Sequence, residues 1–137
     1  MKFAVTGSRS IVDPLVVAYI LDWYKSEITS VIHGGAKGVD SLAYQWAQKH
    51  QILVTVVLPD WQAHGKAADP IRNRTIVEHA EKVIAIWDGV SKGTKGTIDY
   101  ARRICRPVDL WVVAAGTIEL VTEYPVSKSP RQRKPGG

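Results

Sequence analysis

The feature that most constrains this chain is its alternation of short apolar runs with longer amphipathic ones. Residues 2–6, 29–33, 52–58, 82–87 and 108–114 are short and rich in apolar or β-branched residues, the composition of buried strands. Between them stand runs of helical length: Leu15 to Glu27, Val39 to His50, Asp69 to about Ala80, and one opening at Thr97. The first carries a broad apolar face (Val16, Val17, Ile20, Leu21, Tyr24), and Asp13-Pro14 before it supplies an N-cap and a first-turn proline. In the second, Val39, Leu42, Ala43, Trp46 and Ala47 recur at helical spacing. In the last, Ile98, Ala101 and Cys105 share a face, which places Cys105 among packing residues. Residues 117–124 add a sixth strand at an edge. Strict alternation of this kind predicts an α/β chain. The expected architecture is a three-layer, doubly wound, Rossmann-like fold, with a mainly parallel sheet of five to six strands and helices on both faces. The unbroken apolar run from Ile52 to Leu58 predicts a strand buried on both faces.

Length fits one domain over residues 1–126, followed by a basic, Pro-containing tail at 127–137 that is expected to be disordered. The net charge is +5, and Lys128, Arg131, Arg133 and Lys134 supply four of those charges in a segment without acids. Without them the body stands near +1. A domain so close to neutral is not expected to grip nucleic acid by itself, whereas the tail permits weak nucleic-acid contact. No apolar run approaches the ~18 residues of a membrane span, the first residues lack a signal-peptide core, and a single cysteine suits a reducing compartment. A cytoplasmic location with no membrane partner follows as the expectation. The four histidines and Cys105 show no ligand spacing, so neither a metal nor a cofactor is expected.

In a parallel sheet the loops that follow the strands gather at one edge, where ligands bind. The polar and glycine-bearing stretches of this chain fall there: Gly7-Ser8-Arg9, Gly34-Gly35-Ala36-Lys37-Gly38-Val39-Asp40, the polar loop 62–68, and Ser91 to Gly96. Glycine turns ahead of helices expose backbone N–H groups to an anion, most naturally a phosphate. Asp40, in the first helical turn, reads either as an acceptor for a sugar hydroxyl or a basic neighbour, or as a carboxylate capping free N–H groups. Asp69-Pro70 repeats the N-cap and first-turn signal. Arg72 and Arg74 then stand where basic residues oppose the helix dipole, which calls for an anion nearby: a ligand phosphate or an acid such as Asp40. Ser91, Gly93 and Thr94 read as a second phosphate cradle before a helix. Trp61 and Trp87 follow strands; packing is the commoner role for tryptophan, and stacking on a base is the alternative. Neither G-x-x-x-x-G-K-[ST] nor G-x-G-x-x-G is present, which argues against a Walker-type NTPase and a nicotinamide dehydrogenase. No Ser/His/Asp or Cys/His set can be assembled.

Four motifs together resemble the SLOG superfamily, the Rossmann-like domains that include the DNA-processing protein DprA (Smf) and the LOG phosphoribohydrolases. The likeness is greatest to the YspA/YpsA-related single-domain branch. The motifs are Gly7-Ser8-Arg9; Gly34-Gly35-Ala36-Lys37-Gly38-Val39-Asp40; Pro59-Asp60-Trp61 leading to Pro70-Ile71-Arg72-Asn73; and Trp87-Asp88-Gly89 with Ser91-Lys92-Gly93-Thr94. The resemblance implies a nucleotide or nucleotide-derived ligand, held by Gly7, Ser8, Arg9, Gly34, Gly35, Gly38, Asp40, Arg72, Asn73, Ser91, Gly93 and Thr94, and it favours a homodimer or higher homo-oligomer. A sensor or sequestering domain is the expectation. The alternatives are a nucleotide N-glycosidic hydrolase or transferase, and a DprA-like nucleic-acid accessory protein using the tail. LOG enzymes carry Pro-Gly-Gly-x-Gly-Thr-x-x-Glu with a catalytic Glu. Here Tyr100 takes that Glu position and Asp99 stands one residue early, about 100° around the helix. Asp40 and Asp99 are the acids left for a hydrolytic role.

Overall fold

The computed structural model describes residues 1–121, so the basic tail and the end of the last expected strand lie outside the described residues. Six strands, β1 (Lys2–Gly7), β2 (Ser30–His33), β3 (Leu53–Val56), β4 (Lys82–Trp87), β5 (Val108–Ala114) and β6 (Thr117–Val121), form one sheet in the order β3-β2-β1-β4-β5-β6. The first five run parallel, and β6 returns antiparallel to β5. The helices are α1 (Pro14–Asp22), α2 (Val39–Lys49), α3 (Trp61–His64), α4 (Ala68–Glu78) and α5 (Lys92–Arg103).

The period-2 alternation of the central strands divides the interior into two cores. Phe3, Val5, Ile84 and Ile86 pack with Val17, Ile20 and Leu21 of α1 and with Val39, Ala43 and Trp46 of α2. Ala4, Val83 and Ala85 pack with Ile76 and Val77 of α4 and Ile98 and Ala101 of α5. The result is the expected three-layer, doubly wound α/β fold. Burial of a side chain such as Phe3 or Ile84 contributes about 1.5–3 kcal/mol, and these strands supply many. After β1 the chain winds toward β2 and β3, and after β4 it winds the other way toward β5, so the sheet's switch point lies between β1 and β4. Their register carries Gly7 to Ile86, and the Ser8 N–H donates to the Ile86 carbonyl at 3.0 Å, just where the two chains part.

Several local expectations are corrected. β3 is not buried on both faces but forms the sheet edge, with Leu53 76% exposed. An apolar run shows affinity for a sheet but not position within it. α1 keeps its Asp13 cap, whose carboxylate accepts from Leu15 N–H, but ends at Asp22 instead of Glu27. Successive turns then carry the chain to β2 and bury Tyr24 and Ile28. The expected loop at 62–68 holds α3 and a 3₁₀ turn over Gly65–Ala67, and α4 opens at Ala68, before Asp69. Asp69 is therefore inside the first turn, not its cap, and its carboxylate turns to Arg72. Residues 92–96 are helix, not turn, because α5 opens at Lys92 with Ser91 as its N-cap. Cys105 lies past the end of α5 with φ of 61° and is exposed, so it does not pack in the apolar face. Among the described residues no helix is long and apolar enough to cross a membrane.

Candidate ligand site

A cavity of about 410 Å³ opens at the switch point. Gly7, Ser8 and Arg9 line it from the end of β1, Ala36 and Asp40 from the first glycine turn, Asp69, Arg72 and Asn73 from α4, and Ser91, Gly93 and Thr94 from the start of α5. Gly34, Gly35 and Gly38 are not among its lining residues; they build the turn behind Ala36 and Asp40.

That turn is held from three directions. Asp40, 7% exposed, accepts from the Gly34 and Ala36 N–H groups, both at 3.1 Å and both on Oδ2. Of the two roles expected for Asp40, this is the capping one. Burial pushes its carboxyl up to about 6; the Ala36 and Gly34 N–H bonds and the charges of Arg72 and Arg9 oppose the rise without cancelling it. Arg72, 7% exposed, donates through Nη1 to the Gly34 carbonyl at 2.6 Å, through Nη2 to Asp69 at 3.0 Å and through Nε to Asn73 Oδ1 at 2.7 Å. The anion that a basic first turn demands is thus chiefly Asp69, on the same helix. Sequence reasoning assigned Asp69 to capping, because the Asp-Pro signal does not reveal a three-residue reach to Arg72. His33 Nδ1 accepts from the Gly35 N–H at 3.0 Å. Burial, and then the charge of Arg72, holds this imidazole below its ordinary value. The ring is neutral with its proton on Nε2, which is buried and without a partner among the described residues. At Gly38, φ of 74° is a conformation L side chains rarely adopt, and a Cβ would meet the Ser8 carbonyl at 2.6 Å.

The opposite wall is organised by Asp88, which the Trp87-Asp88-Gly89 motif contains but residue-type reasoning passed over. Its carboxylate accepts from the Val90 and Ser91 N–H groups and from the Ser10 and Ser91 hydroxyls. Partial burial pushes this carboxyl up, but those four hydrogen bonds outweigh it and hold the group well below the usual carboxylate range. Ser8 is buried, and its hydroxyl accepts from the Asp88 N–H at 3.0 Å, tying the end of β1 to the end of β4. Trp87 donates from its indole N–H to the Ser91 carbonyl at 2.9 Å, a packing role, whereas Trp61 is 54% exposed on α3. With Ser91's hydroxyl turned to Asp88, α5 has no side-chain cap. Its first N–H groups have no intrahelical acceptor, and the residues that carry them, Lys92, Gly93 and Thr94, line the cavity. Arg9 stands at the rim, its side chain 67% exposed and 3.9 Å from Asp69.

The wall is therefore a mixture of a helix N-terminus, hydroxyls and an exposed guanidinium, a combination suited to an anion bearing hydroxyl groups. Of the two acids considered for hydrolysis, Asp40 lines this cavity and Asp99 does not. Asp99 lies farther along α5, paired with Lys95 at 2.8 Å. Among the described residues no three His, Cys, Asp or Glu side chains are grouped to hold a metal.

A family model, YAcAr, described as the YspA, cpYpsA-related SLOG family, matches residues 1–64, the segment holding β1, the glycine turn and α2. The chain belongs to this family. Over 84 residues it is 37% identical to the Gene 61 protein of Mycobacterium phage D29, a match covering 57% of this chain and 67% of that protein. No solved structure matches. The family match ends before α4 and α5, so Arg72, Asn73 and Ser91 to Thr94 stand on the geometry of this chain.

Proposed function

We propose that this SLOG protein binds a nucleotide or nucleotide-derived ligand at the switch-point cavity, as a sensor or sequestering domain. The observation that carries the reading is the uncapped N-terminus of α5, opening into a cavity that Arg9, Ser8 and Thr94 also line. Backbone N–H groups and the helix dipole supply about half a positive charge aimed at a phosphate. The hydroxyl and amide groups at the same edge suit a sugar. The cavity volume of about 410 Å³ is that of a small-molecule site. Calorimetry with nucleoside mono-, di- and triphosphates, cyclic nucleotides and ADP-ribose tests it. At least one compound is expected to bind. Silence across that panel, from protein shown to be folded, overturns the reading.

One observation favours a second reading, hydrolysis at an N-glycosidic bond. Asp40 faces the cavity with its carboxyl pushed up to about 6, in the range where a carboxylic acid can deliver a proton near neutral pH. Free base released from a nucleoside monophosphate, and lost in Asp40→Asn, supports it; binding without turnover leaves the sensor.

A further inference from the structure

Ser91 stands at the N-cap of α5 with the extended backbone a cap requires, φ −63° and ψ 122°, yet its side chain caps nothing. Serine is among the best N-cap residues, because its Oγ accepts from the N–H groups two and three positions on, here those of Gly93 and Thr94. The reason lies in Asp88. One oxygen of its carboxylate accepts from the Val90 N–H at 2.9 Å and the Ser91 N–H at 2.8 Å. The other accepts from the Ser91 hydroxyl at 2.9 Å and the Ser10 hydroxyl at 2.7 Å. Asp88 thus satisfies the N–H of the cap residue, the task that a capping box gives to an acid at the third helical position, and it takes the hydroxyl as well. It does so from outside the cavity: the third position holds Thr94, and Asp88 is not a lining residue. The carbonyls four residues before Lys92, Gly93 and Thr94 are those of Asp88, Gly89 and Val90, which lie outside the helix and accept none of these N–H groups. Ser91, Lys92, Gly93 and Thr94 all line the cavity. A helix end with a good cap residue already in place is kept open on the side where a guest would stand.

We propose that Asp88 is the positioning residue of the anion seat: by holding the Ser91 hydroxyl it keeps the Gly93 and Thr94 N–H groups free for a phosphate. The inference rests on the nucleotide reading above. It gives Asp88 a role exerted through Ser91, without contact to the ligand. It also accounts for a carboxylate standing beside a site that takes an anion. Coulomb repulsion alone would disfavour one there. A hydroxyl released onto the helix, however, would occupy the very donors that the phosphate needs.

The test measures affinity for inorganic phosphate and for the nucleoside phosphates of the panel above, by calorimetry on the full chain, on Asp88→Ala, on Ser91→Ala and on the double variant. Asp88→Ala is expected to weaken binding about threefold or more, against the tightening that removal of a negative charge alone would give. Ser91→Ala is expected to recover that loss in the Asp88→Ala background and to bring no gain in the natural chain. Thermal melting verifies the folds. Should Asp88→Ala fail to fold, Asp88→Ser carries the same comparison: its hydroxyl can keep the turn through the Val90 N–H but has no second oxygen for Ser91. Asp88→Ala binding as well as the natural chain, or better, overturns the inference and leaves the nucleotide reading intact. A loss that Ser91→Ala fails to recover does the same, and so does an equal gain from Ser91→Ala in both backgrounds. Binding of no compound by the natural chain overturns both.

Discussion

The two glycine-bearing stretches that face each other across the switch point use the same residue for opposite reasons. At 34–38 glycine is demanded by the protein itself. Gly38 has positive φ and the Ser8–Arg9 backbone against it, and Gly34 has the Arg72 guanidinium where a side chain would be. At 93–96 the backbone is plain helix, and among the described residues a Cβ on Gly93 or Gly96 would meet nothing within 4 Å. Their carboxylates differ in the same sense. Asp40 is buried inside its turn and titrates high, whereas Asp88 gathers hydrogen bonds nearer the surface and titrates low. One wall of the site is built for its own rigidity, and the other leaves its glycine backbone open.

The contrast is broken most severely at Gly38. Gly38→Ala drives a methyl against the Ser8 and Arg9 backbone and is expected to cost about 3 kcal/mol or more, read from urea unfolding. Next comes Arg72→Met, which strands the Gly34 carbonyl and Asp69. A loss of about 2–4 kcal/mol is expected, with proteolysis appearing first in residues 34–38. A loss under about 0.5 kcal/mol would show the clamp to be ornamental.

Asp40 then gives a pH signature. Its folded value of about 6 exceeds the ordinary 3.8, so the folded protein holds this proton more tightly than the unfolded chain. The contribution is fully present below about pH 4 and is lost as pH rises through about 6, amounting to about 3 kcal/mol at most. In urea titrations from pH 4 to 7, Asp40→Asn is expected to remove that decline. Asp88 has the opposite sign: its contribution is present above its ordinary value and falls away in more acidic solution. The smallest effect belongs to the other wall. Gly96→Ala is expected to raise stability by about 1 kcal/mol, visible as a higher melting temperature. A decrease would place a protein contact at Gly96 and dissolve the contrast.

The same comparison marks what was legible in the chain. β4 and β5 were readable to the residue, because a central strand imposes its apolar pattern on a short and well-punctuated segment. The gathering of Ser8, Arg9, Asp40, Arg72, Asn73 and Thr94 at one cavity follows from parallel topology, which needs only the order of elements. What failed depended on contacts that residue type and local pattern do not record. Ile52 to Leu58 looked interior because nothing in a strand records which of its sides is paired. Asp69 looked like a cap because local grammar is blind to the guanidinium it meets. Ser91 to Gly96 looked like a turn because two glycines usually mark one, and only the open space above them gives the helical alternative its reason. His33 carried no signal at all; its place in the turn depends on a single N–H bond to its ring.

Arg72 closes the first wall by reaching from α4 to the Gly34 carbonyl. The ordering entropy of that turn is therefore spent when the chain folds, not when a ligand arrives. A guest meets a finished surface on that side, and little of its contact energy goes to immobilising loops. For the ligand proposed above, encounter more than rearrangement is expected to set how fast this wall is occupied.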